Sequence, residues 1–122
     1  MREHPDVPDP ESLLPLPPAT FHILMALADT PRHGYAIMQD IEARTDGEIR
    51  LSAGTLYRSI QRLLEQGLVA ESRERPPQAE DDPRRRYYHL TKFGAAAARA
   101  ETGRLERLVR LAHARKLTPR TT

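Results

Sequence analysis

At 122 residues the chain has room for one compact domain and an appendage, and a second full domain would not fit. Hydrophobic residues make up 39 % and aromatic residues 5 %, a thin core for a monomer, so burial of further apolar surface in a homo-oligomer is expected. There is no cysteine, which excludes disulfides, thiolate zinc sites and cysteine nucleophiles and fits a reducing, cytoplasmic setting.

No stretch approaches the roughly 18 apolar residues that span a bilayer, and the N-terminus lacks a basic-then-apolar signal pattern, so no membrane partner is expected. The formal charge of +2 is modest. Its uneven distribution matters more than its sum to a polyanion partner.

Residues 1–15 carry Glu3, Asp6, Asp9 and Glu11 among Pro5, Pro8, Pro10 and Pro15, a composition that reads as a flexible acidic arm. It could shield a basic face of its own molecule or simply aid solubility. Pro17 and Pro18 then suit the first turn of a helix running through Ala28, with Phe21, Leu24, Met25 and Ala28 near one face and His22 at its polar edge. Thr30-Pro31-Arg32-His33-Gly34 breaks the pattern. Helical periodicity returns from Tyr35 to Arg44 through Ile37, Met38 and Ile41, and Asp46-Gly47 closes this second helix. Glu48-Ile49-Arg50-Leu51 reads as a short extended connector.

The third helix, from Ser52 to Gly67, sorts its residues most cleanly. At roughly 100° per residue, Ala53, Leu56, Tyr57, Ile60, Leu63 and Leu64 fall within an arc of about 120°. Thr55, Arg58, Ser59, Arg62 and Gln66 point the other way. Ser52 suits an N-cap and Gly67 the left-handed residue that ends a helix. Gly54 leaves the first turn bare, so a phosphate could approach the free amides there. Helix, helix, connector, helix is the order of a helix-turn-helix, whose last helix enters the major groove. The alternative is an ordinary surface helix with solvated arginines.

Two strands follow, Leu68 to Glu74 and Arg85 to Leu90, around the proline-rich tip Arg75 to Arg84, which together form a two-stranded wing. Alternation puts Tyr88 and Leu90 in the core and Tyr87 and His89 outside. Arg84, Arg85 and Arg86 are the densest basic run and fit phosphate contact at the base of the wing, unless they are merely solvated. The acidic Glu80-Asp81-Asp82 argues against the tip itself entering a groove. Thr91 can cap a final helix from Lys92 to about Lys116, where Leu105, Leu108, Val109 and Ala112 form a stripe at helical spacing. A helix of that length outruns a wing-sized core, so its stripe calls for a second copy of the chain, or else a fold-back on its own domain.

Four pieces in order, Pro31-Arg32-His33-Gly34-Tyr35, Gly54-Thr55-Leu56-Tyr57, Leu63 to Val69 and Arg86 to Gly94, resemble the PadR-like family of transcriptional regulators from about Leu16 to Gly94. The resemblance implies a winged helix-turn-helix that dimerises through a C-terminal helix and represses a nearby promoter. In several members a small molecule, often phenolic or a lipophilic drug, releases the repressor from DNA. This chain departs from the family at Arg58, where proline is common, in its short single C-terminal helix, and in having no tryptophan to stack an aromatic drug. No effector residues are assigned.

The sequence thus predicts a mainly α fold with a small β wing: a winged helix-turn-helix over residues 16–91, a dimerisation helix over 92–116 and a tail over 117–122. It is expected to act as a homodimeric, sequence-specific DNA-binding repressor on a near-palindromic operator. Thr55, Arg58 and Arg62 enter or flank the major groove, with Ser52 counted among the DNA-binding residues; Tyr57 packs its ring at the core edge and reaches a phosphate with its hydroxyl, and Arg84, Arg85, Arg86 and Lys92 hold the backbone. A winged-helix module that binds protein instead of DNA is the alternative class. No enzyme, metal or cofactor is expected: His4, His22, His33, His89 and His113 are scattered without metal spacing, and no Gly-rich phosphate loop is present.

Overall fold

The structure, a computed structural model, describes residues 8–73 and 84–120. Among them are four α-helices, α1 (Pro18–Ala26), α2 (Gly34–Arg44), α3 (Ala53–Glu65) and α4 (Lys92–Ala114), and three short strands, β1 (Arg32–His33), β2 (Val69–Ser72) and β3 (Tyr87–Leu90). The strands form an antiparallel sheet in the order β1-β3-β2. Arg32 pairs with Tyr88 and His33 with Tyr87 on one side, and Val69 pairs with Leu90 on the other. No helix of the described residues is long and apolar enough to cross a membrane.

Local chemistry sets the helix ends. Ser52 accepts from the Thr55 amide and Thr91 from the Gly94 amide, so both α3 and α4 open on hydroxyl caps. At the end of α3, Gly67 has φ +76°, its amide donates to the Leu64 carbonyl, and the Leu68 amide donates to the Leu63 carbonyl. That paired closure needs a left-handed residue, which glycine supplies without Cβ strain. Leu63 and Leu68 are both buried beside it, so the turn that ends α3 also delivers the chain to β2.

The core lies where α1, α2 and α3 converge, filled by Ile23, Leu24, Ile37, Ile41, Leu56 and Leu63, with Leu68 and Ala97 tying in the wing and α4. α1 turns a different face inward from the one its spacing suggests. Ile23, Leu24 and Leu27 are buried, whereas Phe21 and Met25 are half-buried and Ala28 is exposed. The reason is that α1 touches α2, α3 and α4 at once. Most of its circumference is covered, and the Phe21–Met25 edge is what remains towards α4.

Three further expectations are corrected. The wing has a third strand, because Arg32–His33 joins the edge of β3, and the other two strands are shorter than their apolar runs. Tyr87 is buried at 5 % exposure, and the His33 ring meets it edge-on with centroids 5.3 Å apart. Tyr57, placed in the apolar arc of α3, is 50 % exposed. The arm also ends earlier than residue 15. Pro10–Leu13 forms a single 3-10 turn packed on α4, and Leu16 is buried. The expectations for residues 1–7 and for the acidic wing tip lie outside the described residues.

This N-terminal strap is held by a buried carboxylate. Glu101, 3 % exposed, accepts from the Leu16 amide at 3.4 Å and from Arg104 Nε and Nη2 at 2.8 and 2.7 Å. The Arg104 hydrogen bonds hold its carboxyl below the usual carboxylate range against the opposing effect of burial, and the Leu16 amide helps. Arg32 is structural as well: its Nε donates to the Ala26 carbonyl at 2.8 Å, closing α1, and its Nη2 lies 3.5 Å from Asp40 on α2. It is therefore not part of the free basic surface.

Candidate nucleic-acid interface

α3 presents the face that a groove reader needs. Leu56, Ile60 and Leu63 seat it on the core, and Arg58 and Arg62 are exposed on its outer side. Ser52 Oγ donates to Thr55 Oγ1 at 3.1 Å while accepting from the Thr55 amide, so both hydroxyls at the start of the helix are held in place. Arg58 leans back over the first turn, with Nη2 3.5 Å from Thr55 Oγ1 and Nη1 close to the space that a side chain on Gly54 would fill. The bare glycine therefore lets the guanidinium cover the first turn, leaving α3 with two outward cations one turn apart.

Tyr57 departs from the core because its ring lies across Gly34, at the start of α2. A Cβ on Gly34 would overlap the Tyr57 hydroxyl and its ring edge. The phenol is thus supported from below by backbone and free above, beside the base of the wing. Tyr57, Arg84, Arg85 and Arg86 border one cavity of about 290 Å³ together with His33 and Tyr35. Tyr35 is itself 56 % exposed. Tyr88 closes the floor of the cavity. Burial first, then the neighbouring Tyr57 and Glu71, push its phenol above the ordinary value, against Arg86, so it stays neutral.

Of the residues nominated from sequence, the structure brings Tyr57 together with Arg84, Arg85 and Arg86, and puts Ser52, Thr55, Arg58 and Arg62 on the adjoining outer face of α3. Lys92 is exposed but stands apart. The length of β3 separates it from Arg86, and its neighbour Thr91 is bonded to the Gly67 carbonyl at the far end of α3. His33 and Tyr35 were not nominated. The signal for them was the Pro31–Tyr35 segment, legible as a turn and a family motif but not as part of a surface built by residues some fifty positions later.

A second surface lies along α4. Leu108, Val109 and Leu111 on α4 are 49, 52 and 64 % exposed. Leu105 and Val109 join Phe21 and Met25 of α1 along an apolar groove of about 630 Å³, and Ala112 is half-buried nearby. Of the expected stripe, Leu105 and Val109 line the groove, Leu108 is exposed and Ala112 is half-buried; Leu111, not in the stripe, is also exposed. A smaller cavity of about 360 Å³ lies further up between α1 and α4.

Three helices packed as a helix-turn-helix, a small sheet beside them and a polar, cationic outer helix define a winged helix-turn-helix protein. Residues 23–100 match the transcriptional regulator PadR-like family, and the chain belongs to that family. Its fold is similar to that of a transcriptional regulator from Clostridium thermocellum (TM-score 0.65, 23 % identity, covering 78 % of this chain and 86 % of that one). It is also similar to a PadR family transcription regulator from hypervirulent Clostridium difficile R20291 (TM-score 0.64, 22 % identity, 78 % and 94 %). A curated relative, "Uncharacterized protein X" of Lysinibacillus sphaericus, is 35 % identical over 74 residues, 61 % of this chain and 65 % of that protein. The match thus spans under two thirds of that relative.

Proposed function

We propose that the protein is a sequence-specific repressor that binds double-stranded DNA as a homodimer on a near-palindromic operator. The observation that carries this reading is the outer face of α3, where Arg58 and Arg62 are exposed beside the arginine-lined base of the wing. Thr55, Arg58 and Arg62 read or flank base edges in the major groove, with Ser52 at the entry of the helix. Tyr57, Arg84, Arg85 and Arg86 hold phosphates, which require charge and reach more than fine geometry. Lys92 serves a phosphate further along the backbone.

The exposed Leu108, Val109 and Leu111 support the homodimer, because a row of half-exposed aliphatic side chains on one helix is covered at least cost by its own copy. Leu105 and Ala112 complete the seam, with the groove against Phe21 and Met25 receiving the partner's side chains. Release by a small apolar or aromatic effector, which the family resemblance implies, has room in the cavity of about 360 Å³ between α1 and α4. An occupant there would press on the joint between the seam and the reading head.

Selection of bound sequences from a random duplex library, followed by footprinting, tests the proposal. Two inverted half-sites about one helical turn apart, or a multiple of it, are expected. A single unpaired half-site contradicts the dimer. Binding that does not weaken steeply with salt contradicts phosphate contact and favours a protein partner on the same face.

A further inference from the structure

We infer that Thr55 and Arg58, on the outer face of α3, together read one guanine in the major groove, with Thr55 fixed as a hydrogen-bond donor by Ser52 and by Arg58 itself. This rests on the DNA-binding reading and deepens it by naming the base that the helix selects.

A threonine hydroxyl carries one proton and two lone pairs, so in general it suits a donor or an acceptor on a base equally well. Both lone pairs of Thr55 are occupied here. Ser52 Oγ donates to Thr55 Oγ1 at 3.1 Å, and Arg58 Nη2 donates to the same oxygen at 3.5 Å. Ser52 Oγ is held in turn by the Thr55 amide, which donates to it at 3.1 Å. What Thr55 has left to offer a partner is its own proton.

Arg58 brings donors and no acceptor. Arg32, Arg44, Arg50 and Arg104 each meet a carboxylate, whereas the Arg58 guanidinium lies against a neutral hydroxyl. Gly54 leaves it that place, since a Cβ there would stand 3.3 Å from Nη1. Arg58 is exposed, and its contact with Thr55 engages one N–H and leaves the others for a partner. Three residues apart on one helix, the two side chains face the same way. They also lie in the early part of α3, which is the part that meets base edges when such a helix enters the groove.

A surface made only of donors discriminates among bases. In the major groove guanine presents two acceptors, N7 and O6, whereas adenine sets an amino donor beside N7, cytosine presents an amino donor, and thymine one acceptor beside a methyl group. Guanine therefore answers both Thr55 and Arg58. Adenine and cytosine would each press a donor against a donor, and thymine would leave one donor desolvated and unpaired, which is the costly outcome for a polar group. Because both groups are already oriented, little side-chain freedom is lost on binding.

The test is selection of bound sequences from a random duplex library by the full chain as wild type and as Arg58→Ala, Thr55→Val and Thr55→Ser, at a temperature where every variant is folded. Wild type should return a guanine at one position of each half-site, and Arg58→Ala should lose the preference there while keeping those at other positions. Thr55→Val, which keeps the shape and removes the hydroxyl, should weaken the same preference about tenfold, and Thr55→Ser should restore it. On the selected operator, read by fluorescence anisotropy, 7-deazaguanine at that position lacks N7 and should weaken wild type about tenfold. The combined Thr55→Val and Arg58→Ala variant should not distinguish it from guanine.

Another base at that position, an unchanged preference in Thr55→Val, or a loss by Arg58→Ala that is equal on every sequence overturns the guanine assignment and leaves the DNA reading intact. No salt-dependent duplex binding by wild type overturns both.

Discussion

α3 and α4 open on the same device, a hydroxyl accepting from the amide three residues on, and each has one apolar side, but the domain covers that side to different extents. On α3, Leu56, Ile60 and Leu63 are buried, and apart from Ala53 and the Tyr57 ring the exposed side chains are polar or charged. On α4 the buried residues, Gly94, Ala97 and Glu101, all lie in the first half, and Leu108, Val109 and Leu111 of the second half are exposed. Cations lose little by facing water. Aliphatic surface left in water forgoes about 25 cal/mol for each Å² that could be buried. The domain therefore covers the apolar side of one helix and leaves part of the other's in water.

If the first half of α4 truly belongs to the winged domain, the largest effect should come from Gly94. A Cβ there would overlap the Leu68 backbone carbonyl and press on Leu90. Backbone cannot step aside as a flexible side chain does, so Gly94→Ala should cost about 3 kcal/mol in urea denaturation. A loss under about 1 kcal/mol would mean that α4 rides loosely on the domain.

The second half should answer to different changes. Leu108→Asp combined with Val109→Asp should leave the helical circular dichroism of the protein intact but halve its mass in sedimentation equilibrium. Affinity for a two-half-site operator should fall about a hundredfold, since the second contact is no longer tethered to the first. A dimer surviving both changes would move the seam elsewhere. On the α3 side, Arg62→Ala should cost about 1 to 3 kcal/mol on the preferred sequence and relax preference, whereas Arg85→Ala should weaken all sequences alike and reduce the salt slope by about 1. Identical losses from both on every sequence would erase the distinction between reading and holding.

Much of this contrast is legible in the chain because it depends on local rules. Ser52, Gly67 and Thr91 mark helix ends by chemistry confined to a few residues, and Leu56, Ile60 and Leu63 fall on one face of α3 at the period of the helix itself. Where the reading departs, one feature of the fold lies behind two departures. A two-residue strand is too short to show a period, so Arg32–His33 is invisible in sequence. Yet His33 meets the buried Tyr87 edge-on, and Gly34, the next residue, lies directly against the ring of Tyr57. Alternation and helical arcs describe a chain against an unspecified interior; they do not say which turn will arrive beside a tyrosine. The Phe21–Met25 edge of α1 fails for a related reason, since three neighbouring helices share one short helix.

A smaller effect separates the two halves of α4 by pH. The Glu101 carboxyl is held below its ordinary value near 4.5, chiefly by Arg104 and in part by the Leu16 amide. Its folded-state pKa is depressed, so its contribution is fully present above the unfolded value and is lost as pH falls through the folded one. The wild type should therefore lose its advantage over Glu101→Gln in urea as pH falls below the ordinary carboxylate value of 4.5. Amides of residues 9–16 should become faster to exchange over the same range, because the strap is released with the carboxylate. Leu108, Val109 and Leu111, the aliphatic row of the proposed seam, should keep their amide exchange rates.

The finest discrimination falls on Ser52, which serves as the cap of α3 and stands at the edge of the reading face. Ser52→Ala removes the acceptor for the Thr55 amide and should cost about 1 kcal/mol of stability. Its effect on DNA affinity should be small, because Thr55 and Arg58 keep their places once the helix is formed. Ser52→Asp should do the reverse. Aspartate caps as well as serine and suits the positive end of the helix, so stability should hold or rise slightly. A carboxylate turned towards phosphate, however, should weaken binding on every sequence, most at low salt. If Asp and Ala weaken DNA binding equally, the hydroxyl itself donates to the DNA, and Ser52 is a contact as well as a cap. If Asp leaves affinity unchanged at low salt, the start of α3 lies away from the backbone, and the helix enters the groove from its other end.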